Sequence, residues 1–109
     1  MEISRGELVI AALPGAYGKP RPALVMQSDA FGELASLTVL PLTGELHDFP
    51  LFRITLDPND ANGLAIRSQV MVDKAVTVPK DKIGQRIGRL EPETMRRVGI
   101  ALGRFLEIR

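Results

Sequence analysis

The sequence predicts a small, mostly antiparallel β-barrel with one C-terminal helix packed on it, in a single domain over residues 1–109. Three observations predict this. Short apolar or alternating runs recur between clusters of Pro, Gly, Asn and Asp. Helical spacing appears only after Pro92. A chain of 109 residues, 45% hydrophobic and 25% charged, suits one hydrophobic core.

Residues 7–13, Glu-Leu-Val-Ile-Ala-Ala-Leu, read as a first, mostly buried strand. Turn chemistry follows in Pro14, Gly15, Gly18 and Pro20. Residues 23–27 form a second strand, entered through Pro20-Arg21-Pro22. Residues 28–36 are a loop, with Phe31 expected to anchor inward. Residues 37–42 form a third strand, in which Pro41 marks an edge, a bulge or an end. After a polar turn over 44–50, residues 52–56 alternate, placing Phe52, Ile54 and Leu56 on one face. Residues 57–63 are a dense turn cluster. Residues 68–78 read as one longer strand bent near Asp73, 79–82 as a short helical turn and 85–90 as the last strand. The helix starts at Pro92, which suits a first helical position, and Glu93 favours the positive end of the helix dipole. Met95, Val98, Leu102, Phe105 and Leu106 form its apolar stripe. Gly99 and Gly103 share a helix face open to close approach.

Composition narrows the chemistry. There is no cysteine, hence no disulfide framework and no thiolate nucleophile. The apolar run over 8–13 is too short to span a bilayer and follows Glu7, so neither a signal peptide nor a membrane helix is expected; a cytoplasmic protein is the default. With one histidine, His47, in a polar turn, a tetrahedral N/S metal site is not expected, and RNA cleavage by a histidine pair is excluded within one chain. Gly15 and Gly18 lack the strand-to-helix context of a phosphate loop. Residues 1–79 hold six Lys/Arg against nine Asp/Glu, and residues 80–109 eight against four. That basic end reads first as a solvated helix face.

The remaining candidates are charged and hydroxyl groups at strand ends: Glu7, Arg21, Thr43, Arg53, Asp73 and Lys74. Arg21 stands out. Each flanking proline fixes its own φ and biases the residue before it towards extended backbone, so Arg21 is held stiffly where the strand begins.

The order of landmarks resembles the MazF/PemK family of toxin endoribonucleases. The resemblance rests on Arg5-Gly6-Glu7, on 21–25 (Arg-Pro-Ala-Leu-Val) leading into 27–31 (Gln-Ser-Asp-Ala-Phe), on Pro41-Leu42-Thr43, and on Asp73 with Thr77. It continues through 83–90 (Ile-Gly-Gln-Arg-Ile-Gly-Arg-Leu) to the helix opening Glu93-Thr94-Met95. It implies an SH3-like barrel, usually a homodimer, that cuts single-stranded RNA without a metal or other cofactor. It also implies a small antitoxin protein as partner. It maps the usual catalytic pair onto Arg21 and Thr43, and Glu7 and Asp73 match acidic positions that some members use. The sequence departs from the pattern in three places. The 14–20 loop is short, Lys74 stands where many members have glutamine, and Met71 stands where some have arginine.

Metal-free cleavage uses the ribose 2′-hydroxyl against the adjacent phosphorus, and a guanidinium fits the charge that builds on the phosphate oxygens. Arg21 is expected to stabilise that charge, Thr43 to hydrogen-bond the phosphate, and Glu7 or Asp73 to take the proton if burial raises its pKa. Arg53, Lys74 and Lys19 are candidate contacts to RNA phosphates, and Tyr17 a candidate stacking group. Two other readings stay open: a CcdB-like toxin that binds gyrase and cuts nothing, and an inactive SH3-like binding barrel.

Overall fold

The computed structural model describes residues 2–15 and 19–108. Among the described residues, seven strands and one α-helix follow in order: β1 (Glu7–Ala12), β2 (Pro20–Val25), β3 (Ser36–Thr43), β4 (Arg53–Leu56), β5 (Ser68–Met71), β6 (Val76–Pro79), β7 (Ile83–Arg89) and α1 (Pro92–Leu106). Every strand pairing is antiparallel, in the order β4-β5-β3-β2-β1-β7, and β6 also pairs with β3. One edge of β3 therefore serves two strands. β6 covers Ser36 to Val39, and β5 takes over at Leu42.

β6 lies on the β3 side and β7 on the β1 side, yet a three-residue 3₁₀ turn, Lys80–Lys82, joins them. Three residues span only about 10 Å. The strands β6-β3-β2-β1-β7 must therefore curl until their two edges nearly meet. No ladder joins those edges among the described residues, so the roll is barrel-like but open.

Both faces of the central strands are buried, which is why they read as near-continuous apolar runs. Leu8, Leu24, Leu40, Leu42, Ile54 and Val70 form one core with Met95, Val98 and Ala101 of α1. Val9, Ala11, Ala23, Val25, Val39 and Val78 form a second core inside the roll. The turn over 57–63 closes the first core. Asn59 and Asn62 each accept the other's backbone N–H through a side-chain oxygen (2.7 and 3.1 Å), and Arg89 N–H donates to Ala61 C=O at 2.9 Å.

Several expectations change. β2 begins at Pro20, three residues earlier than expected, so Arg21 lies within the strand and pairs with Ala11. The 68–78 segment is two strands, because Val72–Lys74 forms a 3₁₀ turn at the expected bend. Phe31 does not anchor inward. It sits in the short 3₁₀ turn Asp29–Phe31 capped by the Ser28 hydroxyl and is 58% exposed. The α1 stripe fades after Leu102, and Phe105 and Leu106 are exposed, because the helix runs past the end of the sheet core. Gly99 lies under the Arg5 side chain, and Gly103 C=O accepts from Ile108 N–H at 2.7 Å as the chain reverses.

Gly63 has φ +67°, and a Cβ built there would lie 1.9 Å from the Ile87 carbonyl oxygen. Gly63→Ala is expected to cost about 2–4 kcal/mol through combined strain and clash. Chemical denaturation measures this, and a loss below about 0.5 kcal/mol would mean the turn does not lock onto β7.

Candidate active site

The site begins with three missing donors. Antiparallel pairs alternate between hydrogen-bonded and open types. Pro20 and Pro22 have no N–H, so the bonded pairs of β1 with β2 fall at Ala11↔Arg21 and Val9↔Ala23. On the other edge of β2, Leu24↔Leu40 is then the bonded type and Ala23↔Pro41 the open type. Pro41 needs no donor there. The next bonded pair would be Pro22 with Leu42, and Pro22 lacks the N–H for one of its two bonds. The β2–β3 ladder stops at Ala23↔Pro41, and the strands part beyond it.

A cavity of about 500 Å³ opens at this parting. Leu13, Pro41 and Met71 give it an apolar floor, and Arg21, Asp73 and Lys74 give it charge. Arg21 is exposed, and among the described residues its guanidinium makes no side-chain hydrogen bond or ion pair. Asp73 sits on the 3₁₀ turn between β5 and β6. Arg53, opposite Met71 on β4, grips it with two bonds, Nε–Oδ1 at 3.0 Å and Nη2–Oδ2 at 3.3 Å. The two side chains are only 11% and 15% exposed. Lys74 Nζ lies 3.9 Å from Asp73 Oδ2. Burial on its own would raise the Asp73 pKa. The Arg53 hydrogen bonds, a backbone N–H and the charges of Arg53 and Lys74 outweigh it, so the carboxyl titrates below its ordinary value.

Thr43 lies on the same sheet face as Arg21 but off the cavity wall. Continuing the β2–β3 register past its last pair sets residue 21 opposite residue 43. Thr43 pairs with Gln69, which pairs with Thr55, so these side chains form one row. Thr43 Oγ1 accepts from Glu45 N–H at 3.0 Å, which fixes its rotamer and leaves its own hydrogen free to donate.

The expected groups do not all meet. Arg21, Asp73 and Lys74 share the cavity. Glu7 lies elsewhere, buried at the start of β1, where it accepts from Ser4 N–H and from Arg86 Nη1, each at 2.6 Å. Those bonds make it the clamp of the N-terminal turn. The condition set for Asp73, a pKa raised by burial, is also reversed. Arg53 holds Asp73 rather than standing free for a phosphate. Lys19 is exposed beside Pro20. Tyr17 lies outside the described residues.

Sequence reasoning passed over Gln69. It is 4% exposed, and its amide bonds both backbone groups of His47 and the Thr55 hydroxyl. A buried amide demands such partners. The signal available in sequence was a Gln inside an otherwise apolar strand.

The sequence profile of PemK-like, MazF-like toxins of type II toxin–antitoxin systems matches residues 4–106. The probable endoribonuclease MazF of Mycolicibacterium smegmatis is 47% identical over 105 residues, covering 95% of this chain and 96% of that protein. Among solved structures, the Mycobacterium tuberculosis toxin MazF-mt6 superposes with a TM-score of 0.80 at 26% identity, over 94% of this chain and 98% of that one. An endoribonuclease from a mycobacterial species, solved in complex with its cognate antitoxin, superposes with a TM-score of 0.80 at 25% identity, over 98% and 97% of the two chains.

Folding lowers the Asp73 pKa, so the stabilisation from its pair with Arg53 is present above the ordinary carboxylate pKa. It is lost as pH falls through the folded value. Asp73→Asn is expected to reduce stability at neutral pH by about 1–3 kcal/mol and to flatten the acid limb of the stability–pH curve. Denaturation at stepped pH checks this, and an acid limb as steep as in the parent protein would place the acid sensitivity in other carboxylates.

Proposed function

Because the chain belongs to the family of PemK-like, MazF-like toxins of type II toxin–antitoxin systems, we propose that it is the toxin of such a pair. Its activity is endoribonucleolytic, on single-stranded RNA including messenger RNA. The observation that carries the reading is the Arg21 guanidinium, set on a proline-locked strand at the rim of a cavity holding an ionised Asp73.

In this mechanism the 2′-hydroxyl attacks the adjacent phosphorus and the bond to the 5′-oxygen breaks. The products are a 2′,3′-cyclic phosphate and a 5′-hydroxyl, whose oxygen takes its proton from solvent water as it leaves. Arg21 donates to the non-bridging oxygens as their charge grows. It is permanently charged, so it stabilises rather than transfers a proton. Thr43 donates its free hydrogen to the phosphate and holds it in line. Asp73 is the one carboxylate on the cavity wall among the described residues, and it accepts the 2′-hydroxyl proton. Its lowered pKa makes it a weak base, so most of the rate comes from charge stabilisation. Arg53 is a positioning residue for Asp73. Lys74 and Lys19 contact flanking phosphates, and Tyr17 stacks on a base. Glu7, committed to Arg86, takes no part.

The cleavage needs neither metal nor cofactor. A homodimer extends the groove beyond one barrel, and a cognate antitoxin protein covers it. The substrate places the protein in the cytoplasm; no helix among the described residues is long and apolar enough to cross a membrane. A gyrase-binding toxin or an inert barrel has no use for an arginine aimed beside an ionised acid.

Single-stranded RNA incubated with the protein in EDTA should yield cyclic-phosphate and 5′-hydroxyl ends, identified by mass spectrometry. Arg21→Ala should slow cleavage by about 10²–10³-fold. Thr43→Val should slow it by a smaller factor, lowering kcat more than it raises KM. Wild-type protein that leaves RNA intact but arrests gyrase would overturn the proposal. In a separate titration, Lys74→Ala should weaken RNA binding and reduce its log–log salt slope by about 0.7.

A further inference from the structure

We propose that the ring of His47 is a stacking platform for an RNA base next to the scissile phosphate, held in place by Gln69. This rests on the ribonuclease reading of the same face.

The loop over 44–52 leaves β3 directly after Thr43 and returns to β4 at Arg53. Gln69 fixes its middle. Gln69 Oε1 accepts from His47 N–H at 3.0 Å, and Nε2 donates to His47 C=O at 2.7 Å and to Thr55 Oγ1 at 3.2 Å. A buried amide thus satisfies itself on both backbone groups of a single loop residue. That gives His47 a backbone held like one in the core, while its side chain stays 41% exposed.

The ring is held as well. His47 stacks on Phe49 with centroids 5.4 Å apart and planes within 13°, and Phe49 stacks on Phe52 at 5.2 Å and 15°. Arg53 caps Phe52 with its guanidinium carbon 5.8 Å from the ring centroid, and the same arginine grips Asp73. A column of stacked contacts therefore links the arginine that grips the cavity's acid to the imidazole, its exposed end. Glu45 Oε1 lies 3.5 Å from Nε2 of the ring. A nucleobase extends such a column by one step, whatever its sequence. Gln69 sits opposite Thr43 in the sheet. A base on His47 thus belongs to a nucleotide adjoining the phosphate that Thr43 holds.

The test first maps one cleavage position on a long mixed-sequence transcript. A short RNA spanning it then carries 2′-deoxyribose at the attacking nucleotide and 2-aminopurine at each flanking position in turn. Wild-type protein should quench the fluorophore at one position. His47→Ala should abolish that quench and weaken binding by about 5- to 100-fold, with KM rising by more than kcat falls. His47→Phe should restore both quench and affinity, and Gln69→Leu, its fold checked by thermal melting, should behave like His47→Ala. Unchanged quench and affinity in His47→Ala would overturn the platform. His47→Phe as weak as His47→Ala would also overturn it, since the imidazole nitrogens would then matter rather than the ring face. Gln69→Leu behaving as wild type would remove Gln69 from the proposal. A wild-type protein that cleaves no transcript would instead overturn the ribonuclease reading.

Discussion

Three prolines decide where strand pairing stops, and the site is built where it stops. Pro20 and Pro22 face the same edge of β2, because backbone groups alternate sides along a strand. Both missing donors therefore fall on the edge away from β1, where no neighbour waits for Pro20 and where the Leu42 carbonyl finds no donor on Pro22. Pro41 sits where β3 passes from one partner to the next on its far edge. A ladder continued through Pro22 would draw residues 21 and 43 into a closed sheet. Interrupted, it leaves a cavity with an arginine on a backbone that has little freedom to lose when it meets a phosphate.

The charges around that cavity are arranged in order of burial. Arg53 and Asp73 are nearly covered and satisfy each other with two bonds, which suits a pair whose separation in a poorly solvated position is costly. Lys74 is more exposed and adds its field to Asp73 from the solvent side. Arg21 is exposed and outside this network among the described residues. The buried cation is thus spent on holding an acid, and the exposed one is left for an anion that arrives from solution. Met71 fits this division. It stands directly across from Arg53, so β4 supplies from one strand away the guanidinium that the site holds against Asp73.

The fold class, most strand positions along the chain, the bend near Asp73 and the helix start were legible because each depends on local chemistry. Alternation, turn residues and a proline at the first helical position act within a few residues. Arg21 was legible for the same reason, since the prolines that hold it are its neighbours. Phe31 was not, because whether an aromatic residue points inward depends on which strand passes over it. The role of Arg53 was equally out of reach. Its partner is 20 residues away, and only the β4–β5 register brings them together. Glu7 and Asp73 looked alike as acids near strand ends. Their difference lies in Arg86 and Arg53, which approach from β7 and β4 respectively.

Residues 21, 43, 53, 69 and 73 come from four strands and one turn, so their mutual placement is a matter of register. Sliding a strand by one residue carries every side chain to the opposite face. In this protein such a slip is opposed from both sides of the sheet. One face of β1, β2 and β3 carries Leu8, Leu24, Leu40 and Leu42, and the other carries Val9, Ala11, Ala23, Val25 and Val39. A slip would drive leucines into the narrow interior of the roll and leave small residues facing α1, overpacking one core and emptying the other. The segregation of large from small apolar residues thus selects a single register. That register is what brings a guanidinium, a hydroxyl, a buried amide and a carboxylate to one side of the molecule. The polar site owes its geometry to the volumes of side chains that never touch it.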